Sequence, residues 1–115
     1  MAYTDINLGL KASADVLAGQ VLEVTGDETV GVATAGSTKV IGVAFGDAKS
    51  GEPVAVSTEG LFSLVAGGAI NAGDYVEADG NGGVVAQATF DASKAVGKAI
   101  NSAANAGDKV KVLLL

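Results

Sequence analysis

The feature that most limits how this chain can fold is an internal repeat that keeps both its order and its spacing. Ala18-Gly19-Gln20-Val21-Leu22-Glu23 returns as Ala72-Gly73-Asp74-Tyr75-Val76-Glu77. Lys39-Val40-Ile41-Gly42-Val43-Ala44-Phe45 returns as Lys94-Ala95-Val96-Gly97-Lys98-Ala99-Ile100, and Ser50-Gly51-Glu52-Pro53-Val54-Ala55-Val56 as Ala106-Gly107-Asp108-Lys109-Val110-Lys111-Val112. The marker glycines are 23 and 9 residues apart in the first half and 24 and 10 in the second, so one extra residue in each interval accounts for the difference. Between the first two markers, Val30-Gly31-Val32-Ala33-Thr34 aligns with Val85-Ala86-Gln87-Ala88-Thr89. Each unit reads as turn, strand, turn, strand, turn, strand. The Gly-x-x-Val-x-Val pieces carry the two-residue period of a half-buried strand. Thr25-Gly26-Asp27-Glu28 and Asp79-Gly80-Asn81-Gly82-Gly83 are hairpin turns, because Gly and Asn accept positive φ. The one proline, Pro53, starts a run, where a strand start or edge permits it.

One segment pulls toward helix. Asp91 to Ala106 has a capping aspartate, alanines and lysines, and apolar residues at 95, 96, 99, 100 and 103. The repeat aligns Lys94–Ile100 with the strand-like Lys39–Phe45, and Gly97 weakens a helix interior. The expectation is a strand there, with at most a short helical turn at Asp91–Lys94. Glu59 to Val65, outside the repeat, reads as a further strand. Met1 to Asp15 also stands outside it, with no partner in the second unit. Its apolar residues Tyr3, Ile6, Leu8 and Leu10 suit an extended arm laid on another sheet edge; the alternatives are a locally packed first strand and a frayed end. The chain thus divides into an arm, residues 1–15, and one β-rich domain, residues 16–115.

Composition removes most chemistry. The 115 residues suit one domain, and the 17 glycines with only five aromatic residues leave a thin core that help from neighbouring subunits would strengthen. Histidine, cysteine, arginine and tryptophan are absent. That excludes Ser–His and Cys–His nucleophiles, thiolate and imidazole metal sites and disulfides. Carboxylate catalysis stays formally open, but most of the 13 acids sit beside turns, where solvated carboxylates are ordinary. The Asp79–Gly83 stretch lacks the later acids of a calcium loop and the Gly-Lys-Ser/Thr of a phosphate cradle. No catalytic, cofactor-binding or metal residue is expected. A net charge of −6 disfavours nucleic acid, and no apolar run approaches the roughly 20 residues that cross a bilayer. Residues 1–10 do not read as a secretion signal. The terminal Leu113, Leu114 and Leu115 are expected to pack into the domain or against a partner.

With these landmarks in place, the chain resembles the capsid-cement, or head decoration, proteins of tailed bacteriophages. The residues that carry the likeness are Val40-Ile41-Gly42-Val43-Ala44, Gly51-Glu52-Pro53-Val54, Gly60-Leu61-Phe62, Ala72-Gly73-Asp74-Tyr75-Val76, Val96-Gly97-Lys98-Ala99 and Val110-Lys111-Val112-Leu113. The likeness runs from Val16 to Leu115. It implies an all-β fold, a small β-barrel or β-tulip (β-clip-like) domain. It also implies a non-enzymatic protein of the virion, a homotrimer on the outer capsid surface that bridges neighbouring major capsid proteins. Contacts to capsid or subunit are then expected at Tyr3, Ile6, Leu8, Leu10, Leu113, Leu114 and Leu115. A non-catalytic β-clip module for carbohydrate or ice is the alternative, although sugar sites need aromatic platforms and only Tyr3 and Tyr75 offer themselves.

Overall fold

The computed structural model describes the backbone of residues 5–6 and the whole of residues 10–115. These residues form β-strands joined by turns, without α-helix. The first half supplies β1 (Asp5–Ile6), β2 (Lys11–Ala12), β3 (Val21–Gly26), β4 (Thr29–Val32), β5 (Val40–Ala44) and β6 (Val56–Ser57). The second supplies β7 (Leu61–Val65), β8 (Tyr75–Ala78), β9 (Val84–Ala86), β10 (Ala95–Ala99) and β11 (Lys109–Leu114).

The two halves are the same structure built twice. One sheet runs β1-β6-β5-β3-β4-β2, the other β7-β11-β10-β8-β9, so the first five positions correspond strand for strand. Registers correspond as well: Asp5 faces Ser57 and Ile6 faces Val56, as Leu61 faces Leu113 and Phe62 faces Val112. Ala12 lies beside Val30 in a parallel pair, and Ala66 beside Val84 in a parallel bridge. Both central ladders carry a register shift one residue before the matched glycines Gly42 and Gly97. The turn glycines behave alike, Gly19 and Gly73 at φ 89° and 92°, Gly51 and Gly107 at 84° and 93°. Positive φ is nearly free for glycine and strained for other residues, which is why these markers survive in both units.

Two readings of the sequence need correction. First, residues 10–12 are not part of an arm reaching another sheet edge but are packed locally, the alternative that the sequence left open. Leu10 and Ala12 are buried, the Lys11 amide donates to the Glu28 carbonyl at 2.9 Å, and β1 pairs with the chain's own β6. The segment does have a partner in the second unit, since Leu10, Ala12 and Val16 occupy the places of Leu64, Ala66 and Ile70. Two more residues separate Ile6 from Lys11 than separate Phe62 from Val65, which hid the match. Second, β4 aligns with β9 one residue earlier than expected, Val30 with Val84, because the hairpins before them are of equal length. The extra residue lies in the loop after the hairpin, between Ala33 and Val40 in one unit and Gln87 and Ala95 in the other.

The segment with helical propensity is a strand, as the repeat requires. β10 spans Ala95–Ala99, and helical character is confined to one turn in which the Lys94 amide donates to the Asp91 carbonyl at 3.1 Å. A five-residue strand paired on both sides outweighs alanine's helix preference because propensity is a weak prior beside tertiary pairing.

Each unit curls around its own core. In the first unit this is Leu10, Ala12, Val16, Leu22, Val30, Ala44, Val54 and Val56. The second unit's core uses the matching Leu64, Ala66, Ile70, Val76, Val84, Ala99, Val110 and Val112, and it also takes in Val21, Ala33 and Val43 from the first unit. The first unit therefore buries both faces of its central strands at Val21, Leu22, Val43 and Ala44, one inward and one against its sister. The joint is hydrogen-bonded too: the Val21 amide donates to the Gly82 carbonyl at 2.9 Å and the Gly36 amide to the Ala78 carbonyl at 3.0 Å.

The β8–β9 hairpin that makes this joint is set by Asp79. Its Oδ1 accepts the amides of Asn81 at 2.7 Å and Gly83 at 3.0 Å. Replacing Asp79 with alanine frees two amides and loosens the turn, so Asp79→Ala should cost about 1–2 kcal/mol in urea unfolding. Asp27→Ala, in the solvent-facing hairpin of the first unit, should change stability by less than about 0.5 kcal/mol.

Candidate functional site

The residues singled out from the sequence are divided by the fold. Tyr3, Leu8 and the Ile6 side chain lie outside the described residues. Leu10 is 8 % exposed and Leu114 9 %, both held inside the domain. Leu113 and Leu115 are exposed, at 46 % and 67 %. Two of the three terminal leucines therefore face outward.

Several of the carboxylates are committed to turn geometry. Asp74 Oδ2 accepts the Asn71 amide at 2.9 Å and Asp108 Oδ2 the Asn105 amide at 3.0 Å. In the first unit, Gln20 and Glu52 do the same for Leu17 and Lys49, both at 2.8 Å. A side chain three residues on thus closes each turn, which is the physical role of these polar residues. Hydrogen bonding to Ser37 and Thr34 holds the Glu23 carboxyl below the usual range, and bonds from Ser93 do so for Asp91. Among the described residues no cluster of three or more acids is placed to hold a metal ion. Lys49 and Asp15 approach to 3.9 Å, both well exposed, a pairing that contributes about 0–1 kcal/mol.

What the fold does assemble is a surface. Across the second sheet, Tyr75 on β8 faces Lys98 on β10, Lys98 faces Leu113 on β11, and Leu113 faces Leu61 on β7. Phe90 leans on Tyr75 with ring centroids 4.5 Å apart, and the Lys98 ammonium sits 4.9 Å from the Tyr75 ring centroid. Leu61 and Phe90 are 54 % and 55 % exposed. The next row pairs Ser63 with Lys111, and the one after pairs Val65 with Lys109. An outward face of leucine, aromatic rings and lysine is equipped for adhesion to protein. It supplies neither a nucleophile and base in contact nor an enclosed polar pocket.

The sequence reading caught Leu113 but missed Leu61, Lys98 and Phe90. With Leu113 they lie on four segments up to 52 residues apart, and only the sheet order brings them into one surface. One local signal was available. Val40-Ile41-Gly42-Val43-Ala44 is a continuous apolar run, as strands buried on both faces are, whereas its counterpart is interrupted by Lys98.

A family model for phage cement proteins matches residues 3–114. This chain belongs to the phage cement protein family. It is accordingly a structural, capsid-associated protein of the virion. The match begins at residue 3, earlier than the likeness read from the sequence, in keeping with the place of β1 and β2 in the first unit. Among solved structures, the N base of the head fiber gp8.5 of bacteriophage phi29 is similar, with a TM-score of 0.70 and 24% identity over 92% of this chain and 90% of that one. That likeness confirms the barrel-like all-β fold of the cement protein. No curated protein sequence matches it.

Proposed function

We propose that this cement protein is a non-catalytic clamp that binds the outer surface of the phage head as a trimer, bridging neighbouring major capsid proteins. The observation that carries the reading is the family match over residues 3–114, on a fold in which Asp74 and Asp108 close turns. Neither nucleic acid, membrane nor cofactor has a part in it. Bridging works by linkage. A protein that binds the assembled shell and not its separated subunits stabilises the shell by the free energy of binding. Three copies held together convert later contacts into intramolecular ones, with a gain in avidity of roughly 10²–10⁴. Leu113 and Leu115 are the outward apolar contacts of the domain, and Tyr3, Ile6 and Leu8 are those of the N-terminal segment. Leu10 and Leu114 serve the core.

The test uses expanded heads, assembled without this protein, from the phage that encodes it. Added protein should co-sediment with the heads to a fixed stoichiometry and raise the temperature at which they disrupt. Light scattering of the free protein reports whether the trimer precedes binding. Removing residues 1–4 spares β1 and should weaken binding at least tenfold if the N-terminal segment takes part. Heads that neither retain the protein nor gain heat resistance would overturn the reading.

A further inference from the structure

We infer that the outer face of the second sheet, centred on Lys98, Lys111, Leu61 and Leu113, is the docking face of the clamp, and that its partner is a capsid-protein surface presenting carboxylates beside apolar side chains. The inference rests on the proposed function and adds the location and the chemistry of the contact.

The duplication identifies this as a face that the fold buries elsewhere. The row Tyr75–Lys98–Leu113–Leu61 in the second unit corresponds, register for register, to Val21–Val43–Ser57–Asp5 in the first. In the first unit Val21 and Val43 are fully buried, because the second unit packs on them, and Ser57 beside Val43 is 1 % exposed. In the second unit Leu113 and Leu61 are about half exposed. The same sheet surface is thus filled in one unit and open in the other.

A second copy of this chain cannot fill it by repeating the internal contact. That contact depends on Gly82, where an added Cβ would lie 2.8 Å from Gln20 Cγ. The matching residue of the first unit is Glu28, which keeps the positive φ, 50°, but carries a full side chain. Repetition between copies would press Glu28 onto Asp74, the counterpart of Gln20, adding like-charge repulsion to a steric clash. Two such faces meeting each other would oppose Lys98, Lys109 and Lys111 to the same lysines.

Charge then selects the occupant. The protein carries −6 overall, yet the three outward rows of β7, β11 and β10 hold three of its seven lysines and no carboxylate, and the one acid that β8 adds to this face is Glu77, opposite Ala95. Lysines flanking exposed leucines favour a partner that pairs carboxylates with apolar residues, and desolvation at the contact strengthens the selectivity.

The experiment compares full-length wild type, Lys98→Glu/Lys111→Glu, Leu113→Ser and the control Lys39→Glu/Lys49→Glu for co-sedimentation with the same cement-free heads. Circular dichroism melts verify folding, and sedimentation velocity gives the free oligomeric state. The charge reversal should weaken head binding about 100-fold or more, and Leu113→Ser about tenfold, with melts and oligomeric state unchanged. The control should bind within about twofold of wild type, and wild-type binding should weaken as salt rises. Equal binding by wild type and both face variants would overturn the inference while leaving the proposed function standing. Dissociation of the free oligomer by the face variants would overturn it in favour of a second copy as occupant. Wild type failing to bind heads would sink both readings.

Discussion

Replacing Gly97 with alanine is expected to destabilise the cement protein by about 3 kcal/mol or more and to lower its melting temperature by roughly 10–20 °C. A Cβ at Gly97 would stand 2.2 Å from the carbonyl oxygen of Leu113 and 2.7 Å from Val112 Cγ1. The obstacle is the backbone of the adjoining strand, so no side-chain rotation relieves it; β10 and β11 must separate or slip. A slip of one residue would turn every inward side chain of β10 outward. The duplication supplies an independent replicate, because a Cβ at Gly42 would stand 2.2 Å from the Ser57 carbonyl oxygen. Gly42→Ala should therefore fail to a similar extent. Gly46→Ala is the control: nothing lies within 4 Å of its Cβ and its φ is not positive, so stability should hold or rise by a few tenths of a kcal/mol. Thermal and urea unfolding of the three variants decide the matter. A Gly97→Ala protein as stable as wild type would show that the two strands do not approach this closely.

The second large effect is an asymmetry between matched positions. Val43→Lys places in the first unit the residue that the second unit carries at Lys98. Val43 is fully buried between the units, so the ammonium would be taken out of water, and the expected cost is about 3–5 kcal/mol. The reciprocal change, Lys98→Val, swaps a half-buried lysine on the uncovered sheet for an apolar side chain that can still pack on Tyr75, and should move stability by no more than about 1 kcal/mol. Chemical denaturation of the pair, with the midpoint and slope both recorded, measures the difference. Comparable losses at the two sites would mean that the units are equally covered, which the burial of Val21, Ala33 and Val43 contradicts.

These two experiments also mark how far the fold was legible in the sequence. Gly42 and Gly97 announced themselves as matched markers, and so did Gly19 with Gly73 and Gly51 with Gly107, because a close approach or a positive φ admits little but glycine. The strand at Ala95–Ala99 was recoverable against its own helical propensity, since the repeat conveyed tertiary information that local composition lacks. The match of Leu10–Ala12 to Leu64–Ala66 was not recoverable. Those stretches share little beyond leucine and alanine, and the loop before them differs by two residues. The alignment of β4 with β9 was one residue off because valine-rich strands look alike under a single step, although the step reverses their faces.

The adhesive face was legible only in fragments. Leu113 drew notice as part of a terminal leucine run, but Leu61 and Lys98 look like ordinary outward residues of alternating strands. Their meaning lies in the sheet order β7-β11-β10-β8 and in the contrast with Val21 and Val43 across the repeat. The N-terminal Tyr3 and Leu8 lie outside the described residues; head binding after removal of residues 1–4 decides the part of Tyr3.

The head-to-tail seating of one unit on its sister has a further consequence. A module whose upper surface accepts the lower surface of an identical module has no intrinsic end point, and such contacts generate open fibres unless they close into a ring. Here growth halts inside a single polypeptide: the exposed end of the pair is rewritten with Lys98 and Tyr75, and the opposite tip with Glu28. The protein thereby keeps the strength of a stacked joint within itself and does not extend that joint into a fibre.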